Sequence, residues 1–198
     1  MADRSSIEWT DATWNPLAAF DRATGKRGWF CTKVSDGCTH CYAETLNKRL
    51  GTGHLYRVGN LPLIEFRLVN LDQTIRWQRP RKIFVNSMTD LFHEAVPFDL
   101  IDQVFGAMAL AHQHVHQVLT KRPERMAEYF ADEYRWAYIE GAAQKIHHDR
   151  TGEDPSMWLA VHGPLPNVWL GTSVEDQAAA DERIPHLLRT PAAVRFLS

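Results

Sequence analysis

VWLGTSVEDQAAADERIPHLLRTPAAVRFLS, residues 168–198, decides the fold class. VWLGTS (168–173) is an apolar run that ends in polar residues and reads as a buried strand. EDQAAADERIPHLLRT (175–190) has the composition of a helix bent at Pro185, and AVRFLS (193–198) reads as the next strand. Ser173, with Glu175 or Asp176, supplies an N-cap. Two strands joined through a helix pair in parallel, because only a crossover connection returns the chain to the same edge.

The same alternation extends toward the N-terminus. VHQVLT (115–120) is a strand, and Pro123 opens a helical region running with interruptions to about His148. FDLIDQVFGAMALA (98–111) sets Ile101, Phe105 and Met108 on one helical face. IFVNS (83–87) is a β-branched strand after the basic turn RPRK. The stretch LAAFDRATGKRGW (17–29) reads as a turn-rich hairpin or loop. The expected fold is therefore one α/β domain, residues 1–198, with parallel strands in an open sheet or barrel. An irregular excursion is expected at about 131–166, centred on HHDRTGEDPSMWLAVHGPLPN.

Each strand ends in a polar cluster, where parallel α/β folds place their sites. Ser87, Thr89 and Asp90 follow the first, Lys121 the second, and Thr172, Ser173 and Glu175 the third. Polar strand-end loops also serve simply as helix caps, but three in register point toward one mouth.

GWFCTKVSDGCTHCYAETL (28–46) holds all three cysteines of the chain, Cys31, Cys38 and Cys41. An odd number of thiols in a chain without a basic, apolar leader argues against a disulfide framework and for a metal centre. CYAETLNKRLG reads as a helix whose N-terminal dipole favours thiolates. Two centres suit three sulfurs. Zinc takes them with His40 or His54 as a fourth ligand; a [4Fe–4S] cluster takes them with one iron left open. The net charge of −2 supplies no global field for nucleic acid, and no apolar segment approaches the ~18 residues of a membrane span. The expected compartment is the cytoplasm.

SIEWTDATWNP, the cysteine run followed by YAE, VNSMTDLFHEAVP, VLTKRPERM and NVWLGTSVEDQAAADERIP together resemble a family of phage and prophage proteins of undefined function, over nearly the whole chain. More distantly, that family is similar to the radical S-adenosylmethionine enzymes. Among these, MTD followed by HEAVP, and LTKR, resemble the spore photoproduct lyase branch, which repairs thymine lesions in DNA. The usual cysteine spacing there is C-x3-C-x2-C; here the first interval is six residues.

The resemblance implies an incomplete (βα) barrel, with a [4Fe–4S] cluster on Cys31, Cys38 and Cys41 and S-adenosylmethionine on the open iron. It also implies radical chemistry on an unknown substrate in a host cytoplasm. Ser87, Thr89, Asp90, Lys121, Thr172, Ser173 and Glu175 become the candidate cofactor or substrate contacts, and Tyr42 a shield beside the cluster. Relatives with this opening run on past AVRFLS into Cys-Glu-Pro and Gly-Gly-Glu-Ser-Gly segments, so the barrel is expected to lack its last strand or strands. The rival reading is a non-catalytic phage factor whose sulfurs hold structural zinc or iron–sulfur and whose surface binds a host protein or nucleic acid. Arg76, Arg79, Arg81, Lys82, Lys121 and Arg122, around Trp77, are the residues that would grip phosphates. His112, His114 and His116 alternate, which on a strand would set three imidazoles on one face; His147 and His148 read as surface.

Overall fold

The computed structural model describes Ser5 and residues 7–155 and 159–198. Strand β1 (Ala12–Trp14) is followed by β2 (Leu17–Asp21) and β3 (Arg27–Gly28), the expected hairpin. A 3-10 turn at Asp36–Cys38 and helix α1 (Tyr42–Leu50) carry the cysteines. Then come β4 (Ile64–Leu68), the single-turn α2 (Gln73–Arg76), β5 (Lys82–Val85) and α3 (Phe98–Leu110). β6 (Val115–Thr120), α4 (Pro123–Phe130) and α5 (Arg135–Thr151) follow. The chain closes with β7 (Val168–Thr172), α6 (Gln177–Arg189) and β8 (Val194–Leu197).

Among the described residues, β1, β5, β6, β7 and β8 form one parallel sheet in that order. From β5 onward successive strands are neighbours, and the helices that join them pack into the core on one face. One face carries Ile83, Val85, Val118, Val168 and Leu170, packed into a single core with Ile101, Phe105 and Met108 of α3, Met126 of α4, Ile139 of α5 and Leu187 of α6. The opposite face carries Phe84, over which Trp9 lies at 4.9 Å between ring centroids, with Phe196 of β8 at 6.3 Å from Trp9. The sheet stays open between β1 and β8. β2, β3 and β4 make a second, antiparallel sheet of three strands.

The strands at 82–85, 115–120, 168–172 and 194–197 match the sequence reading within a residue or two. β1 does not appear in that reading: three residues are too few to show a period. It is held by its register, with Ala12, Thr13 and Trp14 opposite Ile83, Phe84 and Val85, and by Trp14, fully buried, whose indole N–H donates to the Asn70 carbonyl at 3.1 Å.

The expected irregular excursion at about 131–166 is a 17-residue helix over much of its length, α5; the remainder is irregular, and residues 156–158 lie outside the described residues. The helical region expected from Pro123 to about His148 is thus α4 and α5, and the excursion shrinks to the segment after α5; α5 is buried along one narrow line, Arg135, Ile139, Ala143 and Ile146. That line meets α3 at Gly106, where a Cβ would stand 2.8 Å from the Ala143 backbone nitrogen. His147 and His148 lie on α5, not in a loop. His112 precedes β6 and is exposed, whereas His114 and His116 are buried, so no three-imidazole strand face forms. Asp176 is the residue that caps α6, accepting from the Ala179 N–H at 2.7 Å.

Candidate metal and cofactor site

The cysteine segment is built from two ends inward. Phe30, fully buried, anchors one end in a small core with Tyr56, Ile64 and Met88. At the other end, α1 begins at Tyr42 with Cys41 as its N-cap. The first link between them and the sheet is Thr32, whose carbonyl and hydroxyl both accept from the Arg122 guanidinium at 2.9 Å. Ser35 forms the second by donating to Glu175, which also receives Arg183 at 2.7 Å. Burial raises the Glu175 carboxyl, but the hydrogen bonds from Ser35 and Arg183 dominate and hold it down to about 2. Gly37 lets Glu175 come close, since a Cβ there would lie 2.8 Å from its side chain and displace the carboxylate. The third link joins Lys33 to Glu44 of α1 at 2.9 Å.

The loop after β5 forms the facing wall. Asn86 ends the strand with φ +55°, a left-handed conformation that Asn tolerates better than most residues. Asn15, from the WNP turn after β1, accepts from the Met88 N–H at 3.0 Å. Tyr56 donates to the Met88 carbonyl at 3.0 Å and Tyr42 to the Ser87 carbonyl at 2.6 Å, so two tyrosines tie this loop to the cysteine segment. Asp90 braces β6: its carboxylate accepts from the Thr120 hydroxyl at 2.7 Å, the Lys121 N–H at 3.1 Å and Arg122 at 3.1 Å.

Between these walls lies a cavity of about 370 Å³ lined by Cys31, Cys38 and Cys41, by Asn86, Ser87, Thr89 and Asp90, by Thr120, Lys121 and Arg122, by Ser173, and on its apolar side by Trp9, Phe84 and Leu119. The structure thus sets the three cysteines along one cavity that Ser87, Thr89, Asp90, Lys121 and Ser173 also line. Thr172 and Glu175 stand apart from the cavity. Thr172 is fully buried and donates to the Thr120 carbonyl at 2.8 Å, and Glu175 holds the cysteine loop from behind. Residues that the sequence reading did not place in the site are Asn15, Asn86, His93 and Tyr56. Asn15, Asn86 and His93 stand in the quoted motifs and Tyr56 in none of them, and nothing in a linear pattern says which polar side chain of a strand-end loop turns inward.

The cysteines are half-buried, free thiols. Burial pushes the Cys31 thiol up to about 11 although Arg122 opposes the shift, so the group is a neutral thiol at pH 7. His93 accepts the Ala95 N–H at Nδ1, which leaves its Nε2 proton for the Thr32 hydroxyl at 3.0 Å. Burial, reinforced by Arg122, lowers its pKa to about 4. Among the described residues no group of three or more His, Cys, Asp or Glu side chains is gathered as a metal site would be. The donor chemistry nevertheless suits zinc or iron–sulfur: three soft sulfurs on one cavity, one of them at a helix N-terminus. Two buried polar atoms of residues that line the cavity, Asn86 Nδ2 and Thr89 Oγ1, have no hydrogen-bond partner, as is also true of His116 Nε2 and Gln117 Oε1 in the sheet.

Residues 4–198 match the family model described as "Protein of unknown function (DUF5131)". The chain belongs to that family. No curated protein and no solved structure matches it. The part of the sequence resemblance that pointed to a family of undefined function therefore holds over almost the whole length. Membership itself assigns no chemistry, so the cavity is the guide to activity. The basic residues grouped from sequence divide within this fold. Arg76 pairs with Asp72 and Arg81 stacks on Trp77, ahead of β5, whereas Lys121 and Arg122 sit at the opposite strand ends. No described helix is long and apolar enough to cross a membrane.

Proposed function

We propose that this protein is an iron–sulfur enzyme of the radical S-adenosylmethionine type, an incomplete (βα) barrel with a [4Fe–4S] cluster on Cys31, Cys38 and Cys41. The observation that carries the reading is the cavity itself. All three cysteines and the ends of three parallel strands line it. A cluster bound there would supply one electron to S-adenosylmethionine, whose cleavage gives methionine and a 5′-deoxyadenosyl radical that takes a hydrogen atom from the substrate.

The protein's own residues do the rest. Cys31, Cys38 and Cys41 hold the cluster, and Asn86, Ser87, Thr89, Lys121 and Ser173 offer polar contacts to the cofactor. Trp9, Phe84 and Leu119 keep water from the apolar side. Asp90 and Glu175 act as braces: every charge they carry is already engaged by Arg122, Thr120, Ser35 or Arg183. The strand-end clusters thus serve two purposes, and only part of each faces the reaction.

The test is anaerobic purification and reconstitution, with iron, sulfide and zinc measured, followed by reductant and S-adenosylmethionine. Iron and sulfide in the ratio of a [4Fe–4S] cluster and formation of 5′-deoxyadenosine are expected. Stoichiometric zinc with no iron after reconstitution would defeat the proposal, and bound iron without cofactor cleavage would leave a structural cluster in its place. In a variant with all three cysteines changed to alanine, metal and product should both disappear.

A further inference from the structure

We propose that Arg122 is the positioning residue of this centre, seating Cys31 and placing a fixed positive charge beside its sulfur; the inference rests on the cluster reading above. Arg122 is almost fully buried, and its guanidinium joins three separate segments. Nε donates to Glu94 at 2.8 Å, and one terminal nitrogen donates to Asp90 at 3.1 Å while lying 3.6 Å from Cys31 Sγ. The other terminal nitrogen donates twice to Thr32, the residue after the cysteine.

Only a planar fork spans such an arrangement, since a lysine ammonium reaches one direction at a time. The backbone prepares it. Pro123 opens α4 and disfavours helical conformation at the residue before it; Arg122 accordingly has φ −124° and ψ 57°, with its N–H on the Thr120 hydroxyl at 2.8 Å. The end of β6, the β5 loop and the cysteine segment are thereby locked through one side chain. Structural pairing alone would be satisfied by Asp90 and Glu94. The contacts to Thr32 and to the sulfur are what that pairing does not require. A thiolate ligand carries negative charge into a buried place, and the nearest fixed cation is this guanidinium.

The experiment compares wild type with Arg122→Met, which keeps an apolar stem, and Arg122→Lys, which keeps the charge and loses the fork. After reconstitution, Arg122→Met is expected to show a more negative cluster reduction potential, because the cation that favours the added electron is gone, and several-fold faster loss of iron to a chelator. Arg122→Lys should hold its potential near wild type yet still lose iron faster. A wild-type potential and wild-type iron retention in folded Arg122→Met overturn the proposal. If wild type itself takes up no iron, the cluster reading fails, and the metal-free proteins then judge Arg122 alone. Backbone amide hydrogen exchange at Cys31 and Thr32, which does not depend on the thiol's ionisation, should quicken several-fold in Arg122→Met, and unchanged exchange rejects the seating role. Should Arg122→Met not fold, Arg122→Lys and Thr32→Val carry the same exchange comparison.

Discussion

At the scale of single residues, buried charge decides more than buried carbon. Asp102 lies within the helical layer, where burial raises its carboxyl above the usual range while Tyr129 and Arg135 work to keep it ionised. Tyr129 donates to it at 2.6 Å, and one nitrogen of Arg135 reaches both its oxygens at 2.9 and 3.1 Å. Removing the cation strands the carboxylate. Arg135→Met is expected to cost roughly 3–5 kcal/mol, more than the joint change Arg135→Met with Asp102→Leu, since the second change removes the orphaned charge. Chemical denaturation of the two variants checks the order. None of this pairing was legible beforehand: Asp102 falls in an otherwise amphipathic helix, and nothing local to Arg135 names a partner 33 positions away in the chain.

At the scale of elements, the long helix α5 owes its place to one missing side chain on α3. Gly106 lets the two backbones approach, with no room for a Cβ against Ala143. Alanine is the better helix former by up to about 1 kcal/mol, yet overpacking against backbone costs about 1–3 kcal/mol. Gly106→Ala should therefore lower stability, measured as a reduced midpoint in denaturant. The sequence showed the periodic face of α3 clearly, because Ile101, Phe105 and Met108 repeat at helical spacing over a long element. It showed α5 only as part of an interrupted helical region from Pro123 to about His148, overlapping the expected irregular excursion, and it hid β1, whose three residues carry no period.

Across the whole molecule, burial lowers the pKa of three described imidazoles, His93, His114 and His116, and so contributes to the response to acid. His116 is fully enclosed between Trp14 and His114, with ring centroids 6.0 Å from each. Burial, with His114 adding to it, depresses its pKa from 6.5 to about 3; His114 is lowered in the same direction by burial, against the pull of the Thr74 carbonyl. A folded pKa below the unfolded one means the neutral form stabilises the fold above pH 6.5. That stability is lost as pH falls toward 3, by about 1.4 kcal/mol per pH unit for each imidazole kept neutral. Denaturant midpoints measured at stepwise lower pH should decline, and His116→Phe should flatten the decline.

Strand and helix alternation, the hairpin at 17–29, the cysteine helix and the polar strand ends followed from the sequence alone, because local periodicity and turn chemistry act over a few neighbouring residues. Tertiary structure alone decided which polar residues face the cavity. Ser87, Thr89 and Ser173 turn inward, whereas Thr172 and Glu175, within two positions of Ser173, turn away to bond Thr120 and to clamp Ser35. A strand reverses its side chain at every residue, and what waits on each side is set by segments far away in the chain. Arg122 is the clearest case. Its partners, at 31–32, 90 and 94, become neighbours only when parallel strands align their ends.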